Sequence, residues 1–216
     1  MTNDKGFIPA AGFNILTPLF DTLCSIIGLG KEYRKRIIKN LPIEKDKLKI
    51  LDAGCGTGSL AIELKKLNSR LVLYGIDADS NILDIAKKKA KEKNLSIYYQ
   101  QGVLEKLPFP NEYFDVVYSS LVLHHLGTRE KQEALNEIYR VLRKDGLFLL
   151  VDFGKPKNKV MAIFSLFSVI FEMGYDNYIG KIPKMLKEAK FKSIEKVDEY
   201  RYNIHFLIAK KRYLLN

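Results

Sequence analysis

Ten residues in the first third of the chain, LDAGCGTGSL at 51–60, restrict the folds open to it more than any other feature. An apolar run at 48–53 leads into them and an amphipathic stretch follows. Gly54, Gly56 and Gly58, three glycines in five residues, let the backbone turn tightly and let a ligand approach without Cβ obstruction. A strand, a glycine turn and a helix in succession open a βαβ unit whose helix start can receive a nucleotide-like ligand. The next apolar run ends in YGID, and its carboxylate, Asp77, stands 23 residues after Gly54. At that spacing an acid can accept hydrogen bonds from a ribose.

The same alternation continues downstream. Apolar runs at 71–76, 97–99, 114–119 and 147–152 show no polar alternation, which suits strands buried on both faces. Between them, Ile82, Ile85, Ala86 and Ala90 form one helical stripe, and Leu135, Ile138 and Leu142 another. The pattern predicts a doubly wound α/β sheet. Ile194 and Val197, then Ile204, Phe206 and Ile208, predict two last strands paired as an antiparallel hairpin through 199–202. Residues 7–41 read as one or two helices and 155–175 as an apolar insertion after the fifth strand. Ligands of open α/β sheets sit beyond the carboxyl ends of the strands, an edge that both segments could cover. The expected organisation is a helical cap at 1–47 over the active site, then one domain at 48–216 carrying the insertion.

A chain of 216 residues has room for one domain and not for two full cores. Lys and Arg number 36 against 25 Asp and Glu, a net charge of +11, which implies an anionic neighbour without saying which. The excess lies in the flanks: 9 basic against 5 acidic residues up to position 49, and 13 against 7 after position 150. Cys24 and Cys55 are too few for a disulfide framework or a four-thiolate zinc site, and no His/Cys/Asp cluster has metal spacing. No metal is expected, and the chain reads as cytoplasmic. The longest apolar run, 160–171, is 12 residues and short of the roughly 20 that span a bilayer. The N-terminus does not read as a signal peptide, because its apolar stretch starts late and carries Pro18 and Asp21.

The turn reads G-C-G-T-G-S, with Ser59 where a dinucleotide site wants its third glycine and Asp52 two residues before the first. An acid there is awkward beside a pyrophosphate and suits a cationic amino-acid ligand, so S-adenosylmethionine fits better than NAD. A Walker loop is excluded, since no G-K-[ST] follows. Taken together, LDAGCGTGSL, YGID, GVLEKLPFPNEYFDVVYSSLVLHHL and EIYRVLRKDGLFLLVDF resemble successive motifs of class I S-adenosylmethionine-dependent methyltransferases. The likeness is greatest to the ubiquinone/menaquinone C-methyltransferase group (methyltransferase type 11), firm over about 48–153 and weaker in FNILTPLFDTL and the last hairpin.

That resemblance implies a seven-stranded, mostly parallel, Rossmann-like sheet, with S-adenosylmethionine as methyl donor and S-adenosylhomocysteine as product. It implies that Asp52, Ala53, Gly54, Cys55, Gly56 and Gly58 hold the methionine moiety, that Asp77 binds the ribose hydroxyls and that Ala78 lies beside the adenine. Ser119 would line the methionine side. Many relatives carry an acid after the glycine of the third strand; here Gly102 is followed by Val103 and Leu104. Adenine recognition at 102–104 must then use backbone groups or apolar packing.

Methyl transfer from a sulfonium is an in-line displacement that needs alignment above all, and a base only where the acceptor must lose a proton. His124 and His125 follow the fourth strand on the ligand edge and are the candidate bases, with helix capping as the plainer reading. Asp152 ends the fifth strand and could orient an acceptor or cap a loop; His205 reads as structural, and Cys55 as a small residue in the turn. VMAIFSLFSVIF at 160–171, with Phe13, Ile15, Leu16, Leu19 and Phe20, could wall an apolar acceptor pocket. Lys155, Lys157 and Lys159, and Lys31, Arg34, Lys35 and Arg36, adjoin those segments, which suits peripheral contact with an anionic membrane; a buried cap or a dimer face is the alternative. Lys87, Lys88, Lys89, Lys91 and Lys93 read as a solvated helix face. A nucleic-acid methyltransferase is disfavoured: there is no N/D-P-P-Y/F/W motif, no Pro-Cys motif and no appended nucleic-acid module. A protein methyltransferase or a non-catalytic donor-binding subunit stays open, as do monomer and homodimer. The expectation is methylation of a small hydrophobic or amphipathic acceptor, quinone- or lipid-like.

Overall fold

A computed structural model of the chain describes residues 25–26, 28–156 and 175–212. Sequence expectations for 1–24 and 157–174, which include most of the cap and of the insertion, lie outside the described residues.

Seven strands form one sheet in the order β3-β2-β1-β4-β5-β7-β6. They are β1 (Lys49–Ala53), β2 (Val72–Asp77), β3 (Tyr98–Gln101), β4 (Phe114–Ser120), β5 (Leu142–Phe153), β6 (Ser193–Tyr200) and β7 (Ile204–Lys210). The first five run parallel, as βαβ crossovers require, and β7 enters antiparallel between β5 and β6. The predicted hairpin is present, turning through a 3-10 segment at Arg201–Asn203.

The unbroken apolar runs have a direct cause: successive side chains enter opposite faces, and both faces are covered. On one face Leu51, Val117, Phe148 and Leu150 meet Leu135 and Ile138 of α4 (Thr128–Val141) and Met185 and Leu186 of α6 (Ile182–Glu188). On the other face Ile50, Leu73, Val116 and Leu149 meet Ala61 and Leu64 of α2 (Ser59–Leu67) and Tyr33 and Ile37 of α1 (Lys31–Lys39). Between α4 and α6 the chain also makes the single turn α5 (Tyr175–Tyr178). After β2, Asp79 caps α3 (Ser80–Glu92), accepting from the backbone N–H of Asn81 at 2.9 Å and of Ile82 at 3.4 Å.

Some details differ from the sequence reading. In α3 the buried stripe is Ile82, Leu83, Ala86 and Ala90, with Leu83 inside where Ile85 was expected. Strand β5 begins at Leu142 rather than 147, because Leu142 pairs with Phe114 before a register shift carries the exposed Arg143–Lys144–Asp145 stretch past it. Leu142 therefore ends the helical stripe as a strand residue. Helix α1 is part of the domain core: Tyr33 and Ile37 are 4% and 1% exposed, and the Tyr33 hydroxyl lies 2.7 Å from Ser120 Oγ at the end of β4.

Ile37→Ala is expected to lower stability by about 2–5 kcal/mol, the range for truncating a buried aliphatic side chain. Urea unfolding should show one transition with a lower midpoint; an unchanged transition would mean that α1 folds apart from the sheet.

Candidate active site

The glycine turn leaves β1 at the carboxyl edge of the sheet and is held down by its neighbour strand. The backbone N–H groups of Gly54 and Cys55 both donate to the Ile76 carbonyl, at 2.9 and 3.0 Å. That of Gly56 donates to Asp77 Oδ2 at 2.8 Å. Asp77 Oδ1 accepts from the Asp79 N–H at 3.1 Å, so the carboxylate is fixed in orientation at the end of β2. Gly54, Gly56 and Gly58 have φ of 84°, 51° and 70°, a region that costs other residues steric strain. A Cβ on Gly54 would overlap Val122, and one on Gly58 would overlap the Tyr99 hydroxyl. A Cβ on Gly56 would meet nothing nearer than Ile82 Cδ1 at 4.0 Å, so that side of the turn has room for a ligand.

Two acids flank this space, Asp52 buried and Asp77 half-buried. Asp52, 4% exposed, accepts from the Tyr118 hydroxyl at 2.8 Å. Burial pushes its carboxyl up to about 7; the Tyr118 hydrogen bond opposes the shift and the charge of Asp77 adds to it. Burial also raises Asp77 above the usual carboxylate range, against the pull of its backbone donors. The Cys55 thiol is pushed well up, by burial first and then by Asp52 and Asp77, which makes a thiolate nucleophile there unfavourable.

The remaining predicted residues fall around this centre in different ways. Ala53 is fully buried, and its carbonyl accepts from Ser119 Oγ at 2.8 Å. Ser119 is likewise fully buried, so its hydroxyl ties β4 to β1 instead of facing the open edge. Ala78 follows Asp77, its carbonyl accepting from Gln101 Nε2 at 3.0 Å. Gly102 joins the group by donating its N–H to the Asp77 carbonyl at 3.0 Å. Val103 is 49% exposed, whereas Leu104 is 5% exposed and packs in the core, leaving only its backbone for a ligand.

His124 and His125 form a 3-10 turn, Leu123–His125, with ring centroids 3.9 Å apart. His124 Nδ1 lies 2.8 Å from Asp152 Oδ1, and the His124 backbone N–H donates to Asp152 Oδ2 at 3.2 Å. Burial pushes the Asp152 carboxyl up, but the His124 ring and the N–H donors of His124 and Phe153 outweigh it and hold it below the usual range. His125 is exposed by surface area yet set close enough to surrounding protein that burial lowers it to about 4; the charges of His124 and Lys131 add to the fall and Asp152 opposes it.

Three contributors were not read from the sequence. Tyr118 was one apolar residue in a strand until its register opposite Asp52 gave it a role. Val122 carries no chemistry and sets the position of Gly54 by contact. Lys89 corrects the reading of a uniformly solvated face: its Nζ donates to Thr57 O, Thr57 Oγ1 and Ser59 Oγ at 3.3, 3.0 and 2.8 Å, bracing the exit of the glycine turn. Lys87, Lys88, Lys91 and Lys93 are exposed. Only the spacing of Lys89 toward the inner edge of α3 hinted at the difference.

A turn pinned from beneath and open above, a fixed carboxylate at its side and buried acids behind it fit an adenosyl amino acid. The comparisons agree. The methyltransferase domain family matches residues 51–150. A demethylmenaquinone methyltransferase of Lactobacillus johnsonii is 29% identical over 198 residues, covering 89% of this chain and 74% of that protein. A 2-phytyl-1,4-naphtoquinone methyltransferase of Nostoc punctiforme is 28% identical over 188 residues, covering 83% and 78%. A solved SAM-dependent methyltransferase from Aquifex aeolicus shares the fold, with a TM-score of 0.65 at 19% identity over 82% of this chain and 88% of that one. The chain is a class I S-adenosylmethionine-dependent methyltransferase. Its relatives place it with the ubiquinone/menaquinone C-methyltransferase group.

In this methyltransferase Asp52 makes stability depend on pH. An unfolded Asp ionises near 3.8 and the buried one near 7, so between those values the folded state holds more protons and loses stability as pH rises. Asp52→Asn removes that loss. Without donor, the variant should melt above wild type at pH 8, and the gap should close toward pH 4 in thermal scans. A constant gap would place the buried charge elsewhere.

Proposed function

We propose that this methyltransferase methylates a small, hydrophobic or amphipathic acceptor of quinone-like or lipid-like character. S-adenosylmethionine supplies an electrophilic methyl group. The glycine turn and Asp52 would receive its amino-acid end, and Asp77, with two fixed carboxylate oxygens, would receive the ribose hydroxyls. Val103 offers an apolar face to the adenine, and backbone groups at 102–104 offer the polar contacts. Either histidine of the 3-10 turn would meet an acceptor arriving from the β4–β5 side.

The observation that carries the acceptor reading is a cavity of about 290 Å³ beyond the carboxyl end of β5, lined by Leu150, Phe153, Ile179, Ile182 and Leu207 with Asp152 at its wall. It lies just below the usual ligand range, and its wall is amphipathic, with Lys155, Asn177 and His205 beside the apolar side chains. The names of the Lactobacillus and Nostoc relatives, both quinone methyltransferases, agree with an acceptor of that kind.

Helix α1 supports a peripheral membrane contact. Lys31, Lys35 and Lys39 recur every four residues, are exposed and so share one face, while Arg34 and Arg36 pair with Glu63 and Asp198. A stripe of three ammonium groups suits anionic headgroups. Among the described residues no helix is long and apolar enough to cross a membrane.

Calorimetric titration is expected to give micromolar binding of S-adenosylmethionine and S-adenosylhomocysteine and none of NAD. Asp77→Ala should weaken donor binding by about 1–3 kcal/mol, the usual cost of leaving buried polar partners unsatisfied. Equal affinity in the variant would remove Asp77 from the site. Vesicles rich in phosphatidylglycerol should co-sediment the protein at low salt and release it at high salt, and replacing Lys31, Lys35 and Lys39 by Glu should abolish the effect. Salt-independent binding would leave the lysine stripe without that role.

A further inference from the structure

The register of the sheet sets four residues in a row just before the glycine turn. Tyr99 of β3 stands beside Gly75 of β2, Gly75 beside Asp52 of β1, and Asp52 beside Tyr118 of β4. Neighbours in register share a face, so two tyrosines approach one carboxylate from either side. They do not treat it alike. The Tyr118 hydroxyl donates to Asp52 Oδ2 at 2.8 Å, and the Tyr118 side chain is buried. The Tyr99 ring lies across Gly75, where a Cβ would overlap it, and the buried Tyr99 hydroxyl has no hydrogen-bond partner among the described residues. Asp52 Oδ1 has none among them either. The carboxylate therefore has one oxygen tethered to β4 and the other unclaimed.

We infer that Tyr118 is a positioning residue for donor capture, holding Asp52 so that Oδ1 takes the donor's ammonium, and that this capture expels a proton from the site. The inference rests on the reading above that Asp52 receives the amino-acid end of the donor, and it goes beyond it. A protonated Asp52 carries its hydrogen on Oδ1, because Oδ2 already accepts from Tyr118. An arriving ammonium can only donate, so the Oδ1 hydrogen must leave to water before the ion pair forms. One proton leaves and no other covalent bond changes. Burial holds the free carboxyl near 7, so in the empty protein the proton is present below neutral pH. There the donor has to displace it, and affinity falls about tenfold for each unit of acidification; above that range Asp52 is already ionised and the loss ends. The Tyr118 hydrogen bond favours the ionised form and so lowers the pH at which the site becomes ready.

Other titratable groups face Asp52 from every side. Tyr118 comes from β4, Asp77 from β2, Tyr99 from β3 and Cys55 from the turn itself, while Lys89 of α3 stands at the turn's exit, bonded to Thr57 and Ser59. Burial first, and then neighbouring negative charge, pushes the Cys55 thiol and both tyrosine hydroxyls up, so they stay neutral through the acid range. Asp77 is also raised by burial, and its share is read from the variant that lacks Asp52.

The test is calorimetric titration of the whole chain with S-adenosylhomocysteine, which carries the ammonium without the sulfonium, at pH 6 and pH 8 in buffers of different ionisation enthalpy. Wild type should bind about tenfold more weakly at pH 6 and release about one proton there, and release almost none at pH 8. Equal affinity at the two pH values with no proton released would overturn the inference. Asp52→Asn should bind more weakly than wild type at pH 8 and lose most of both the pH dependence and the proton release. Tyr118→Phe should move the midpoint up by about one unit, which costs about tenfold in affinity at pH 6 and about twofold at pH 8. A merely structural tyrosine would weaken binding equally at both, and that result would overturn its role. Tyr99→Phe, which removes the hydroxyl that is not bonded to Asp52, should leave the midpoint in place; a shift as large as that of Tyr118→Phe would overturn the assignment to Tyr118. If Asp52→Asn binds like wild type at pH 8, the placement of the amino-acid end at Asp52 fails and takes the inference with it. If Asp52→Asn binds weakly while wild type releases no proton, that placement stands and the inference alone fails.

Discussion

Three consecutive backbone N–H groups of the glycine turn converge on the end of one neighbouring strand: two on the Ile76 carbonyl and one on the Asp77 carboxylate. The rest of the site depends on this convergence. It fixes the height of the turn above the sheet and makes Asp77 a strut beneath it. It also spends those N–H groups, so a bound anion cannot have them. A pyrophosphate needs such donors along its whole length, whereas the ammonium and ribose hydroxyls of an adenosyl amino acid need acceptors. The preference for an adenosyl sulfonium over a dinucleotide is therefore built into the backbone bonding of the turn as much as into its side chains.

The local electrostatics point the same way. Asp52 and Asp77 sit at the turn with Asp79 close behind, and Lys89 is the cation bonded at its exit. The Asp52 carboxyl is held up near 7, by burial first and then by the charge of Asp77. A ligand bearing ammonium and sulfonium groups would bring positive charge to these acids in a medium that screens poorly.

The fold was readable because its rules act locally: continuous apolar runs, helical stripes and a glycine turn each follow from neighbours in the chain. The hairpin of β6 and β7 was legible for the same reason. What sequence reading missed depends on register between distant segments. Nothing near Tyr118 says that it stands opposite Asp52, and nothing near His124 says that Asp152, 28 residues on, will meet it. Leu104 and Ser119 were assigned by position in a motif, and in the structure their side chains are committed inside, one to packing and one to Ala53. Lys89 was grouped with its exposed neighbours because composition reports a run of lysines without reporting which of them reaches back across the helix.

Gly54 lies so close to Val122 that even one methyl group would not fit between them, and Val122 is the residue just before the 3-10 turn that carries both histidines. The glycine turn and the histidine turn are thus two parts of one casting. Neither can shift without dragging the other, so the separation between the glycine turn and the two histidines is a property of the scaffold. The side chains around the cavity at the end of β5 can therefore be exchanged without changing how far the two turns stand apart.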